Sequence, residues 1–227
     1  MMTACCMASI VASVLAAGGL PATTPAGVTP AQPRQSTSTA RSQHDEAPPW
    51  SFGASVYGYF VPDDSDYLQP TVSADRAWLH LEARYNYEDQ NTFSAWLGYN
   101  ISFGDEVSLG LTPMVGGVVG NTTGFAAGFD FSLEWWWLGI YSEGELVFDV
   151  DERYDSFADT WSEATLAPLD WLRAGLVVQR TRVYASERDI QRGVMVELGF
   201  DRFTIAAHVF DPDKDSPTWV VAVSAGF

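Results

Sequence analysis

The sequence predicts an all-β protein: a transmembrane, antiparallel, up-and-down β-barrel of twelve strands, or ten if the first hairpin fails. Three observations predict it. From Trp50 onward, segments of alternating character recur with turn residues between them and no stretch of helical period. Short and long connections alternate along the chain. In several segments one parity is wholly apolar or aromatic while the other carries charge, which is the pattern of a wall with lipid on one side and a polar interior on the other.

The order of the elements follows from local composition. Residues 1–22 are read as a secretory signal peptide, because an uncharged apolar core from Met7 to Ala17 ends in small residues and is too short to span a bilayer as a helix. No Lys or Arg precedes that core, the first cation being Arg34, so the usual positive start is missing. Cys5 and Cys6 are the only cysteines and lie inside this leader, so no disulfide framework is expected in the exported chain. Residues 23–49 are rich in Pro, Thr and Ser and are read as a disordered periplasmic linker in which His44 is simply solvated.

Residues 50–227 form the expected barrel, with strands at 51–61, 67–74, 77–88, 91–103, 105–117, 124–135, 138–150, 157–167, 171–184, 191–200, 202–211 and 217–227. Pro70 inside the second strand makes the first hairpin the weakest. Short turns at Asp75-Arg76, Phe103 to Asp105, Trp136-Trp137, Pro168 to Asp170 and Asp201-Arg202 alternate with longer, more polar connections. Outward residues by parity are Leu79 to Tyr87, Phe93 to Ile101 and Phe125 to Trp135, taken every second residue. A soluble sandwich would place these inward, and parity alone does not separate the two. Aromatic placement does: Trp135, Trp137 and Trp171 gather at the short turns, while Phe60, Tyr87, Phe93, Phe125, Phe148, Tyr184 and Trp219 lie toward the other rim, giving two interfacial girdles.

The last strand alternates Trp219, Val221, Val223, Ala225 and Phe227 against small residues. A chain stopping on Phe227 inside such a strand resembles the Gram-negative outer-membrane β-barrel proteins, a porin-like class, and no particular family within it is matched. The resemblance implies an outer-membrane location, periplasmic termini, lipid and lipopolysaccharide as surroundings, and assembly machinery that reads the terminal strand.

Inward by parity are the acids Glu82, Glu106, Asp130, Glu134, Glu143, Glu145, Asp159, Glu163 and Glu197, against the cations Arg84 and Arg173, in a chain of formal net charge −17. The functional reading is a narrow pore for small cationic or neutral solutes. The alternative is an occluded barrel with a structural or lipopolysaccharide-binding role. Bulky inward Trp78, Trp96, Trp161, Tyr141 and Met114 narrow whatever space exists. Arg180 and Arg182 fall on the outward parity near a strand end, with Arg188 and Arg192 across the loop, so they are candidates for lipopolysaccharide phosphates. Equally open is a bulge that turns them inward to neutralise lumen acids.

Catalysis is not expected, nor a cofactor. An omptin-like hydrolase site would need His208 beside loop acids such as Asp63, Asp64, Asp211 and Asp213, and the signature is loose. A phospholipase-like Ser-His pair would face lipid, whereas His80 and His208 are inward by parity. The run Asp211-Pro-Asp-Lys-Asp215 lacks the turn glycine and the closing glutamate of a calcium loop, so no metal site is assigned. Strong acidity disfavours nucleic acid as a partner. The sequence leaves the oligomeric state open.

Overall fold

The computed structural model describes residues 48–62, 65–151, 156–183 and 189–227. The expected signal peptide, the linker up to residue 47, Cys5, Cys6, His44, Asp63, Asp64, Tyr184 and Arg188 lie outside the described residues.

Every regular element among the described residues is a strand: β1 (Ser51–Phe60), β2 (Tyr67–Arg76), β3 (Leu79–Tyr85), β4 (Phe93–Tyr99), β5 (Ile101–Phe103), β6 (Val107–Val119), β7 (Gly124–Trp135), β8 (Leu138–Asp149), β9 (Phe157–Leu169), β10 (Leu172–Val183), β11 (Asp189–Phe200), β12 (Phe203–Phe210) and β13 (Thr218–Gly226). Apart from β4 and β5, which both pair with β6 and not with each other, each pairs antiparallel with its sequence neighbours, and β1 pairs with β13. The β4 and β5 segments are therefore one stave interrupted at Asn100, and the sheet closes as a twelve-stave barrel. The first hairpin forms despite Pro70, which takes its place opposite Val56, so the ten-strand alternative falls. Closure leaves no open edge, which satisfies the backbone in a medium that offers no hydrogen bonds.

Connections sort by rim. On the rim carrying Ser51 and Phe227, β2–β3, β7–β8, β9–β10 and β11–β12 are joined by two residues each. Ala77, Trp136 and Asp201 adopt positive φ there (54°, 55° and 56°), as two-residue hairpins require. At the opposite rim the connections run from four to seven residues. These are called the turn rim and the loop rim below.

Burial alternates along the staves with large apolar side chains on the outside. Leu97, Val115, Phe125, Phe129, Leu176, Val194, Ile205 and Val223 are all exposed to the surroundings of the barrel. Trp135, Trp136, Trp137, Trp171, Phe200 and Phe203 ring the turn rim; Phe60, Phe93, Phe125, Phe148 and Trp219 lie toward the loop rim. An aqueous surface of this composition would aggregate, so the belt is a lipid-facing one with interfacial aromatics at both ends. Trp78 corrects the sequence reading. It sits in the β2–β3 turn, is more than half exposed, and stacks on outward Tyr99 at 5.4 Å between ring centroids, because the positive φ at Ala77 breaks the alternation that had placed it inside.

Candidate permeation path

The inward faces meet in a polar interior with two unlike halves. Toward the turn rim the lining is small: Ser108 and Gly110 on β6, Ser132 on β7, Gly139 on β8 and Gly199 on β11 are inward and only partly buried, apart from buried Gly139. Within this half Arg173 Nη1 lies 3.0 Å from Glu134 Oε1, and its Nε lies 3.9 Å from Glu197 Oε1. The side chains of Glu134 and Arg173 are 41% and 36% exposed, so this group of charges is hydrated.

Close to the β2–β3 turn, His80 Nδ1 lies 2.8 Å from Asp75 Oδ1, and Asn100 Nδ2 donates to the same carboxylate oxygen at 2.7 Å. Thr112 Oγ1 donates to Asn100 Oδ1 at 2.7 Å. These bonds draw the Asn100 side chain inward where β4 gives way to β5. Across the barrel His208, fully buried, places Nε2 2.9 Å from Glu163 Oε1.

The loop-rim half is filled. Arg84 pairs with Glu82 through Nε and with Glu145 Oε2 through Nη1 at 3.2 Å. Its guanidinium lies over the rings of Tyr87 and Trp96. Tyr87 and Tyr141 both donate their hydroxyls to Glu143, at 2.9 and 2.8 Å. Trp96 Nε1 donates to Ser94 Oγ at 3.0 Å and to Glu88 Oε1 at 3.2 Å. Beside this group Trp161, 0% exposed, donates to Glu163 and stands edge-on to His208 and Phe210. Around Arg84, Tyr87, Trp96, Met114, Asp130, Glu143 and Glu145 no gap is large enough to hold a water molecule.

A fully buried guanidinium tolerates this position because carboxylates and aromatic faces occupy its surroundings. The shared guanidinium in turn compensates both carboxylates, Glu82 and Glu145.

The structure brings most of the expected lumen acids together. Glu82, Glu143, Glu145, Asp159 and Glu163 are buried inside the barrel, and Asp130, Glu134 and Glu197 are partly buried there. Glu106 is the exception. It lies exposed in the β5–β6 connection at the turn rim, beyond the point where Gly104, with φ of 84°, ends the alternation. Trp96, Trp161, Tyr141 and Met114 point inward as expected, and Trp78 does not.

Tyr87 is a second correction, since parity had put it outside. The β3–β4 connection leaves extended geometry at Asn86 (φ 57°) and returns at Asn91 (φ 55°). Asn91 N donates to Asn86 Oδ1 at 2.7 Å, and Asn86 N to Thr92 O at 2.8 Å. The clamped loop tucks Tyr87 and Glu88 into the lumen, 2% and 1% exposed. Sequence reasoning missed both; the signal was the pair of asparagines, which tolerate positive φ.

Arg180, Arg182 and Arg192 are exposed on the outward face at the loop-rim ends of β10 and β11. The pairing of β10 with β11 shows no register shift; the pairing of β10 with β9 shifts between Leu172 and Ala174, opposite the Ala167-Pro168 stretch, and is unbroken from Ala174 to Val183. The bulge that would have turned the arginines inward is therefore absent. Arginine on the lipid face costs about 2–4 kcal/mol at the midplane and about 0–1 kcal/mol at an interface, so the position at the girdle is the affordable one. Asp211 bonds Lys214 Nζ at 2.7 Å, and no cluster of metal-ligating side chains occurs among the described residues. Buried His208 places Nε2 on Glu163 inside the wall, and among the described residues no hydrogen bond or ion pair joins it to the loop acids Asp211 and Asp213.

A closed twelve-stave barrel with a lipid-facing belt and a charged interior defines the outer-membrane, porin-like class of fold. No protein-family model matches the chain, and no curated protein sequence matches it. Solved structures do. The KdgM porin is 12% identical with a TM-score of 0.58, over 77% of this chain and 99% of that one. The KdgM porin in complex with disordered oligogalacturonate gives 11% and 0.56 over the same shares. Pseudomonas aeruginosa OpdQ, at 10% identity and 0.42, is matched over 74% of this chain and 58% of its own.

Proposed function

We propose that the protein is a narrow porin-like channel of the outer membrane that passes small cationic or neutral solutes and is shut at its loop-rim half in the state described. One observation carries the solute preference. Among the described residues inside the barrel, Glu82, Asp130, Glu134, Glu143, Glu145, Asp159, Glu163 and Glu197 stand against two arginines, Arg84 and Arg173, and an acid-rich passage attracts cations and repels anions. A polyanion such as the oligogalacturonate bound by the KdgM porin suits this lining poorly. The short connections on the rim of Ser51 and Phe227 support periplasmic termini, since barrels of this class keep their short turns on that side.

The filling around Arg84 favours a second reading, a structural barrel with a permanently occluded lumen. Planar bilayers separate the two. The channel reading expects small conductance steps whose reversal potential in a potassium chloride gradient favours potassium. Folded protein that stays silent through long recordings would leave the occluded barrel standing, and anion preference would sink both the pore's proposed solutes and the role given to the acids.

A further inference from the structure

The outward wall is apolar almost throughout, and its exception is one edge of β10 and β11. Arg180 faces Ile190 and Val178 faces Arg192 across that pair, so Arg192 is the diagonal neighbour of Arg180 on the same face, and Arg182 lies two residues further toward the loop rim. On the other side Arg180 is opposite Thr160 and Arg182 opposite Ala158, with Gly144 beyond Thr160. Other staves place Phe125, Phe148 or Trp219 at this rim. Here three guanidiniums stand over a low strip of small side chains.

Among the described residues no carboxylate pairs with them. Arg84 and Arg173 are paired in the lumen, Lys214 is held by Asp211, and Arg76 lies over the ring of Trp50. Arg180, Arg182 and Arg192 have no ion pair among the described residues, in a chain whose formal charge is −17. Exposed cations kept apart from an excess of available carboxylates, at the level where lipid headgroups lie, are complementary to phosphate.

We infer that this edge binds the phosphates of an outer-leaflet glycolipid of the lipopolysaccharide type. Arg180, Arg182 and Arg192 fork onto the phosphate oxygens, and the small residues Ala158, Thr160 and Gly144 beside them leave room for the headgroup. The loop rim is the one that barrels of this class turn outward, which puts the arginines in the leaflet that holds such lipids. None of the three faces the lumen, so the site stands or falls apart from the channel reading.

The test titrates the full chain, refolded in detergent, with bisphosphorylated lipid A, with the same lipid after removal of its phosphates, and with phosphatidylglycerol, read by native mass spectrometry. The triple variant Arg180→Gln, Arg182→Gln, Arg192→Gln is expected to bind lipid A about tenfold or more weakly, as loss of several charge-assisted hydrogen bonds implies. The unaltered chain is expected to show a comparable drop for the dephosphorylated lipid, and the triple variant to keep its folded, heat-modifiable gel mobility. Arg76→Gln at the turn rim is expected to change nothing. Equal binding by the triple variant overturns the site, and equal binding of dephosphorylated lipid overturns the phosphate contact. Phosphatidylglycerol binding as tight as lipid A overturns the glycolipid assignment. Should the triple variant not fold, Arg192→Lys and Arg180→Lys serve instead: they keep the charge and lose the fork, and affinity unchanged in both would equally reject the proposal.

Discussion

The guanidinium carbon of Arg84 lies 4.1 Å from the ring centroid of Tyr87, and the same side chain ties β3 to Glu145 on β8 across the lumen. Arg84→Met is expected to leave Glu82 and Glu145 as buried charges without their partner, costing about 3–5 kcal/mol. Urea unfolding of vesicle-inserted protein, followed by tryptophan fluorescence, measures it. Adding Glu82→Gln and Glu145→Gln to Arg84→Met should recover much of the loss, because the penalty belongs to the unpaired carboxylates and not to the missing arginine.

Adjacent glycines on β6 give a sharper contrast. A Cβ on Gly116 would come within 2.6 Å of the Trp96 indole, whereas one on Gly117 would meet nothing within 4 Å. Gly116→Ala is expected to destabilise by about 1–3 kcal/mol through overpacking and to shift the tryptophan emission. Gly117→Ala, which adds a methyl to the lipid face, should leave both unchanged, and equal effects at the two positions would contradict the assigned faces.

Arg173 belongs to the hydrated half, so its removal should be felt by ions more than by the fold. Half-exposed pairs contribute about 0–1 kcal/mol, and Arg173→Gln is expected to change stability by no more than that. It leaves Glu134 and Glu197 without their cation, and the reversal potential in a salt gradient should move further toward potassium.

Glu88, on the β3–β4 connection, responds to pH in a defined direction. Burial pushes its carboxyl up from the ordinary value of 4.5, with Arg84 pulling it partly back. The folded state thus binds the proton more tightly than the unfolded chain. The stability linked to this group is full below the unfolded value and is lost as pH rises through the folded one. Glu88→Gln is expected to flatten that part of the profile and to unfold later than the unaltered chain at about pH 8, with little difference at about pH 4. Unfolding midpoints at the two pH values measure this, and a variant less stable at both would refute it.

The period of two made the walls legible because extended backbone converts sequence position directly into side. That rule carried Leu97 and Phe129 outside, and Glu82, Glu143 and Trp161 inside. It failed for Trp78, Tyr87 and Glu106, each at or beyond a residue that leaves extended geometry: Ala77, Asn86 and Gly104. Tyr87 was counted through Asn86, whose positive φ resets the alternation, whereas Trp78 and Glu106 lie in connections just before β3 and β6, where alternation has not yet begun. Filling of the lumen was hidden for a different reason. Which inward side chains touch depends on the stagger of the staves: Tyr87 and Glu143 are 56 residues apart, and no local pattern encodes their meeting. The outward setting of Arg180 and Arg182 needed the structure as well, since only a register unbroken from Ala174 to Val183 excludes the bulge there.

The two halves of the interior also differ mechanically. Toward the loop rim the barrel is filled, with Arg84, Trp96 and Trp161 packed inside it; toward the turn rim, where inward Ser108, Gly110 and Ser132 are small and only partly buried, it is more loosely filled. A filled section resists flattening while a loosely filled one can breathe into an ellipse. Lateral pressure from the bilayer should therefore deform the end that carries Phe227 and spare the other. Amide deuterium exchange would then be graded along each single strand, slow above Arg84 and faster below Arg173, instead of uniform around the wall.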